Sequence, residues 1–159
     1  MIKITCQTGR DVFIDAPDLT WSNLQSADLH RALLERVDLS HSNFEFADLR
    51  GALFTRSVLV GCNFNKAKVA NAFFSSTDLS AATFTGASLI GCYFDGADLK
   101  KCDFTDADIE FGHFEGADLR GARFLCRSIE SANLTGCLWD DTTQFPLGFI
   151  PPTKKQDSK

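Results

Sequence analysis

Residues 92–121 decide the fold, because they divide into six five-residue units: CYFDG, ADLKK, CDFTD, ADIEF, GHFEG and ADLRG. The first residue of each unit is small, and the third is a large hydrophobe. Because these residues stand two apart, both side chains lie on one face of an extended segment. A five-residue period fits neither an α-helix, which repeats about every 3.6 residues, nor a plain strand, which repeats about every 2. The pattern therefore predicts a chain that turns inward-facing pairs of side chains toward a common axis.

The same period continues through residues 16–138. Every fifth residue from Leu19 to Leu134 is a large hydrophobe, and the residue two before it is mostly Ala, Ser, Cys or Gly. Phe alternates with aliphatic residues from Phe44 to Phe124, and the chemistry of the outward residue before each large one recurs at every twentieth position. We therefore expect a twenty-residue coil with four sides. At ~4.8 Å per coil, about six coils make a rod roughly 28 Å long.

Four units carry a clear family signature: ADLHR at 27–31, ADLRG at 47–51, ADLKK at 97–101 and ADLRG at 117–121. They resemble the A-(D/N)-(L/F)-X-X signature of pentapeptide repeat proteins, and the resemblance covers residues 16–138. It implies an all-β fold, the right-handed quadrilateral β-helix, a solenoid of that family. It implies much less about function, because one fold serves many functions.

The two ends lie outside the repeat. Residues 1–15 alternate apolar and polar side chains around a turn, and we expect a short hairpin there that caps the first coil. Residues 139–159 are expected to form a C-terminal cap and a disordered tail that starts at Pro151. The expected cap consists of apolar residues outside the register: Leu138, Trp139, Phe145, Leu147 and Phe149.

Arg127 departs from the pattern near the end of the repeat. Counting in fives places it in a small inward slot of the last coil. An unpaired buried charge is costly. Either the coil opens there and the guanidinium reaches solvent, or the side chain pairs with a carboxylate.

Composition excludes several classes of function. A net charge of −5 disfavours direct nucleic-acid binding, and no apolar run is long enough to span a membrane. The six Cys form no CxxC pair, and the three His share no site, so we expect no metal and no cofactor. No catalytic motif occurs, and a rigid rod offers no large cleft for a small-molecule substrate. We expect a cytoplasmic, non-enzymatic protein that binds a protein partner.

One outward column breaks the signature, which asks for Asp or Asn at this place. The column contains Leu33, Leu53, Phe73, Tyr93 and His113. Contiguous exposed apolar side chains often mark a partner site. The alternatives are that stacking between coils only stabilises the rod, or that a cap drapes over this column. If the column is an interface, self-association as a homodimer is its simplest form, and Arg36 and Arg56 supply a polar rim.

An acidic band suggests a second function. Residues 76–119 carry nine acids and two bases: the acids are Asp78, Asp95, Asp98, Asp103, Asp106, Asp108, Glu110, Glu115 and Asp118. Some proteins that this chain resembles mimic duplex DNA and bind DNA gyrase, a type II topoisomerase. Duplex DNA carries one charge per ~1.7 Å, so a full-length mimic of 28 Å needs roughly sixteen negative charges. The alternative hypothesis for the function is therefore local DNA mimicry by this acidic band. The competing interpretation is that these acids are only solvated positions of the repeat.

Overall fold

The computed structural model describes residues 1–153, so most of the tail predicted to be disordered, Pro151–Lys159, lies outside the described residues. Two strands, β1 (Ile2–Ile4) and β2 (Val12–Ile14), pair antiparallel with Ile2 opposite Ile14. A single 3₁₀ turn occupies Ile129–Ser131. Between these elements the chain winds as a β-helix built from short parallel bridges.

The outward residues of the β-helix pair with the residue twenty positions later, except that Asp108 pairs with Arg127 and Arg123 pairs with Gln144. The pairs form four columns, which define four faces of the rod. Face A runs from Asp38 to Leu138, face B from Asn23 to Gln144, face C from Asp28 to Arg127, and face D from Leu33 to Asn133. The cross-section is therefore a quadrilateral, as the twenty-residue repeat predicts.

Every corner from Trp21 to Gly121 is a tight turn with a left-handed residue. At one of them the Phe64 carbonyl accepts a hydrogen bond from the Ala67 amide at 3.1 Å, and Lys66 between them has φ 56°. Gly86 takes the same position one coil later, with φ 65°. Residues other than glycine are destabilised by roughly 1 kcal/mol in this left-handed backbone conformation. The regular amide–carbonyl bonds between coils offset that cost.

The core contains two stacks of phenylalanine rings. Rings from face B, such as Phe64 and Phe84, lie parallel at 4.9 Å, and rings from face D, such as Phe74 and Phe94, also stack at 4.9 Å. The two stacks meet edge to face, with Phe64 and Phe74 at 5.9 Å and 85°. Stacking therefore repeats at the spacing of neighbouring coils, ~4.8 Å, and aliphatic residues from faces A and C fill the rest.

The small inward slots accept polar side chains because the preceding coil supplies an acceptor. The Ser42 hydroxyl donates to the Leu19 carbonyl at 2.8 Å, and the Cys62 thiol donates to the Leu39 carbonyl at 3.1 Å. The Ser22 hydroxyl is buried without a partner, because no coil precedes it. All six Cys are buried and unpaired.

The N-terminal hairpin lies against the first coil. Leu33 donates its amide to the Thr5 carbonyl at 2.8 Å, and Gln7 donates to the Arg31 carbonyl at 3.1 Å. Ile4 of β1 is fully buried. These bonds pair otherwise open backbone groups along part of the first coil.

Two expectations about the C-terminal end are wrong. Arg127 does not occupy an inward slot: it bridges Asp108 on the outside, only nineteen positions away, and its Nε donates to the Asp106 carbonyl at 3.2 Å. Cys126 fills the slot instead, because this coil is one residue short. Leu147 does not cover the last coil either, since its side chain is fully exposed, whereas Phe145 packs on Phe124 at 6.0 Å.

Candidate functional site: an apolar face with charged ends

The Asp or Asn of the signature has a structural role in the β-helix. Its side-chain oxygen accepts a hydrogen bond from the backbone amide two residues later. Asp98 does so for Lys100 at 3.1 Å, and Asn43 does so for Glu45 at 3.0 Å. The same bond recurs along faces A and B. Short polar side chains are suited to capping a local turn in this way.

Face D gives up this bond on five successive coils. Its outward residues Leu33, Leu53, Phe73, Tyr93 and His113 accept no hydrogen bond from the amide two residues later; among the described residues only Asn133 makes that bond on this face, to Thr135 at 3.1 Å. Losing a capping bond costs about 1 kcal/mol per site. Face D therefore lacks the local hydrogen bonds that stabilise the turns of faces A and B, and its outward side chains make other contacts.

The side chains of face D form a continuous ladder. Parallel bridges join Leu33 to Leu53, Leu53 to Phe73, and so on to His113. The rings of Phe73 and Tyr93 stack at 4.7 Å and 2°, and Tyr93 stacks on His113 at 4.6 Å and 5°. Leu33 and Phe73 remain 38% exposed. The ladder thus combines cross-coil stacking, the alternative considered for this column, with a flat apolar surface open to solvent.

Charge is divided between the two ends of face D. Arg36 and Arg56 occupy adjacent corners on the N-terminal side, both exposed and with no ion pair among the described residues. Asp95 and Glu115 lie on the C-terminal side, and one Asp95 oxygen is buried without a hydrogen-bond partner. Glu115 accepts a bond from Asn133 at 2.7 Å. Glu35 also lies at the N-terminal end. Face D is therefore an apolar ladder flanked by Glu35, Arg36 and Arg56 at one end and by Asp95 and Glu115 at the other.

Corner size also differs between the two ends. The corner next to the Arg36 and Arg56 corners carries Ser76, whereas the next three are glycines: Gly96, Gly116 and Gly136. A Cβ placed on Gly116 would meet nothing within 4 Å. One half of the face therefore projects long side chains at its edge, and the other half leaves open space there.

The acidic band does not share one face. Asp78, Asp98 and Asp118 lie on face A; Asp103 and Asp106 on face B; Asp108 and Glu110 on face C; Asp95 and Glu115 on face D. Five of these nine cap the backbone of their own turn: Asp78, Asp98, Asp103, Asp108 and Asp118. Three also pair with cations, as when Lys100 lies 2.8 Å from Asp98. Much of the band therefore serves the repeat itself.

Ion pairs and burial shift several pKa values. The hydrogen bond from Arg50 lowers the pKa of Asp48, as the neighbouring hydroxyl of Ser40 does for Asp38. Burial raises the pKa of the Cys62 and Cys92 thiols to about 12. Such thiols stay protonated at neutral pH and are poor nucleophiles.

Among residues 1–153, no group of three or more His, Cys, Asp or Glu is placed to hold a metal ion. Within the same residues, no helix has the length and apolar character needed to cross a membrane. His113 belongs to the face D ladder, and His41 stacks on Trp21 at 4.3 Å at another corner.

Comparison with known proteins identifies the family. The family model for the pentapeptide repeat region matches residues 27–104. With the uninterrupted five-residue period and the four bridged faces, this places the chain among the pentapeptide repeat proteins. No curated protein matches the chain.

Several solved structures are similar. One is the pentapeptide repeat protein Rfr23 from the cyanobacterium Cyanothece 51142, with 26% identity over 69% of this chain and a TM-score of 0.43; the chain spans 64% of Rfr23. HetL from Nostoc sp. strain PCC 7120, a protein involved in heterocyst differentiation regulation, is 25% identical over 86% of this chain and 77% of its own, with a TM-score of 0.35. QnrB1, a plasmid-mediated fluoroquinolone resistance protein, is 20% identical over 77% of this chain and 89% of its own, with a TM-score of 0.40.

Proposed function

We propose that this protein is a non-enzymatic interaction module that binds a protein partner through face D. Pentapeptide repeat proteins are in general structural or interaction modules. One observation carries the proposal: face D replaces the capping Asp or Asn with large apolar residues on four coils and so gives up local hydrogen bonds. A partner that buries the ladder recovers that cost through the hydrophobic effect.

The ladder has the properties of a small interface. Phe73 and Tyr93 are rigid aromatic side chains held in one orientation by stacking, so little conformational entropy is lost on binding. Aromatic residues at the centre with charged residues at the edges are typical of protein–protein contacts. We place this interaction in the cytoplasm.

Site-specific photo-cross-linking in cells of the source organism tests the proposal. Benzoylphenylalanine replaces Tyr93 on face D or, as the matched control, Phe46, which is 47% exposed at the corner between faces B and C. We expect a covalent adduct from position 93 that is absent or much weaker from position 46. No adduct at 93, or equal adducts at both positions, refutes an interface on face D.

The acidic band supports a second candidate less strongly, a DNA-mimicking modulator of DNA gyrase. Residues 76–119 have a net charge of −7, but five of the nine acids cap their own turns. A gyrase supercoiling assay titrated over salt separates the candidates, because binding by an acidic mimic weakens steeply as salt rises. Salt-sensitive inhibition at low micromolar protein favours the mimic; no effect at any salt removes it.

A further inference from the structure

We propose that face D is self-complementary and that its partner is a second copy of this chain, bound antiparallel. The proposal rests on the proposed function of face D and names the partner. The two-fold axis lies between the two faces, parallel to their strands, and crosses the ladder between Phe73 and Tyr93. The pair forms a closed dimer with two identical contacts.

The columns of face D select this orientation. A two-fold axis parallel to the strands reverses the order of the coils but keeps every column opposite itself. The ladder then meets the ladder, and Phe73 of each copy meets Tyr93 of the other. An axis along the rod through the ladder instead keeps each coil opposite itself. It brings Arg36 of one copy opposite Arg31 of the other, so that like charges meet.

The charges agree with the same arrangement. In this register Arg56 of one copy lies opposite Gly116 of the other, next to Glu115, and the contact occurs twice. The open corner at Gly116, where a Cβ would meet nothing within 4 Å, leaves room for the guanidinium. Arg36 similarly faces the glycine corner at Gly136. Each cationic edge therefore meets an acidic or open edge.

The register also keeps like charges apart. It brings Asp95 of one copy opposite Ser75 of the other, which is uncharged. A shift of the axis onto Phe73 is disfavoured, because it brings Glu35 of one copy opposite Glu115 of the other. Like charges directly opposite each other destabilise an interface.

The size of the face determines the strength of the dimer. Six coils at ~4.8 Å and a side of roughly 13 Å give about 370 Å² per copy in projection. This is roughly half of the ~800 Å² per partner in a standard stable interface. Association is therefore reversible and depends on protein concentration.

Complementary charge reversal tests the dimer on the full chain. Arg56→Glu places two acids opposite each other in both contacts, and Glu115→Arg places two cations there. Sedimentation equilibrium up to about 500 μM should show that each variant weakens dimerisation at least about tenfold. An equimolar mixture of the two should dimerise again, because the mixed pair contains one Glu–Arg and one Arg–Glu contact.

The mixture excludes contacts within one chain as the cause. Arg56 and Glu115 lie three coils apart on the same rod, about 14 Å, so neither substitution removes a bond to the other. Lys66→Glu is the matched control, because Lys66 is an exposed left-handed corner residue between faces B and C, away from face D, with φ 56°. It should leave dimerisation unchanged, and circular dichroism should match the unaltered protein for all variants.

Three results overturn the dimer: a wild-type chain that is monomeric at every concentration, charge variants that dimerise as well as wild type, or a mixture no better than either variant alone. None of these decides the proposed function. An adduct from position 93 in the cross-linking experiment that contains a different protein supports face D as an interface while it refutes the second copy as its partner.

Discussion

Replacement of Phe84 by Ala tests whether the two stacks of rings support the rod. The side chain is fully buried, stacks on Phe64 at 4.9 Å and on Phe104 at 5.0 Å, and meets Phe74 and Phe94 edge to face at 6.2 and 6.0 Å. Truncating a buried Phe to Ala costs about 3–5 kcal/mol. Because both neighbouring coils lose a stacking partner, we expect a value near the upper end, about 4–5 kcal/mol.

Phe84→Leu separates the aromatic contribution from simple burial. It keeps most of the apolar volume but removes four ring pairs, each worth at least about 0.5 kcal/mol, so we expect a loss of about 2 kcal/mol. The matched surface control is Phe46→Ala. Phe46 is 47% exposed and contacts Lys66 at 5.3 Å, so its removal should cost less than about 1 kcal/mol.

The free energy of unfolding is measured by urea titration with far-ultraviolet circular dichroism. A lower m-value for Phe84→Ala would indicate that coils on either side unfold separately, as expected for a quasi-one-dimensional array. If Phe84→Ala costs no more than Phe46→Ala, or Phe84→Leu is neutral, the ring stacks do not hold the coils together.

Three further predictions concern the corners, the thiols and the carboxylates. Gly61→Ala should cost about 1 kcal/mol more than Gly116→Ala in thermal or urea unfolding: both positions have positive φ, but only at Gly61 does the new Cβ meet another group, the His41 Nδ1 at 2.7 Å. A difference that persists in a His41→Ala background contradicts this contact. At pH 8 the native thiols of Cys62 and Cys92 should react with a disulfide reagent about 1,000-fold more slowly than in urea, because burial raises their pKa from 9.0 to about 12; rapid labelling of the native protein contradicts their burial. The Arg50 hydrogen bond lowers the pKa of Asp48 below its unfolded value of 3.8, so the stability that this pair contributes is present above that value and is lost as the pH falls through the folded pKa. The melting temperature should therefore fall below about pH 4, less steeply in Asp48→Asn, and an identical pH profile for that variant refutes the assignment.

The fold could be predicted from the sequence because each five-residue unit repeats the same arrangement of side chains. A small and a large inward residue, an outward Asp or Asn and a corner recur with little variation, and twenty-residue periodicity sets the number of faces. Arg127 was misplaced because counting in fives assumes that every coil has the same length. Cys126, one position earlier, is the small residue that fills the inward slot. The coil is therefore one residue short, which the sequence shows only when Cys126 and Arg127 are compared as candidates for that slot.

The interpretation of the charges was limited for a different reason. Asp95 and Glu115 were grouped with seven other acids because they are close along the chain. Winding places them on face D, two and three coils from Arg56 yet on the same side of the rod, whereas Asp98 and Asp118 face another direction. The backbone caps made by five of these acids depend on side-chain orientation, which spacing alone suggests but does not determine.

Hydroxyl-radical footprinting of the unaltered protein shows whether face D is the contact surface. Oxidation of each aromatic side chain is compared at low and high protein concentration, with Trp21 and Phe46, at corners away from face D, as internal references, 74% and 47% exposed. Oxidation of Phe73 and Tyr93 should fall as the protein associates, while that of both references is unchanged. Unchanged oxidation of Phe73 and Tyr93 at high concentration, or protection of Trp21 and Phe46 instead, contradicts face D as the contact surface.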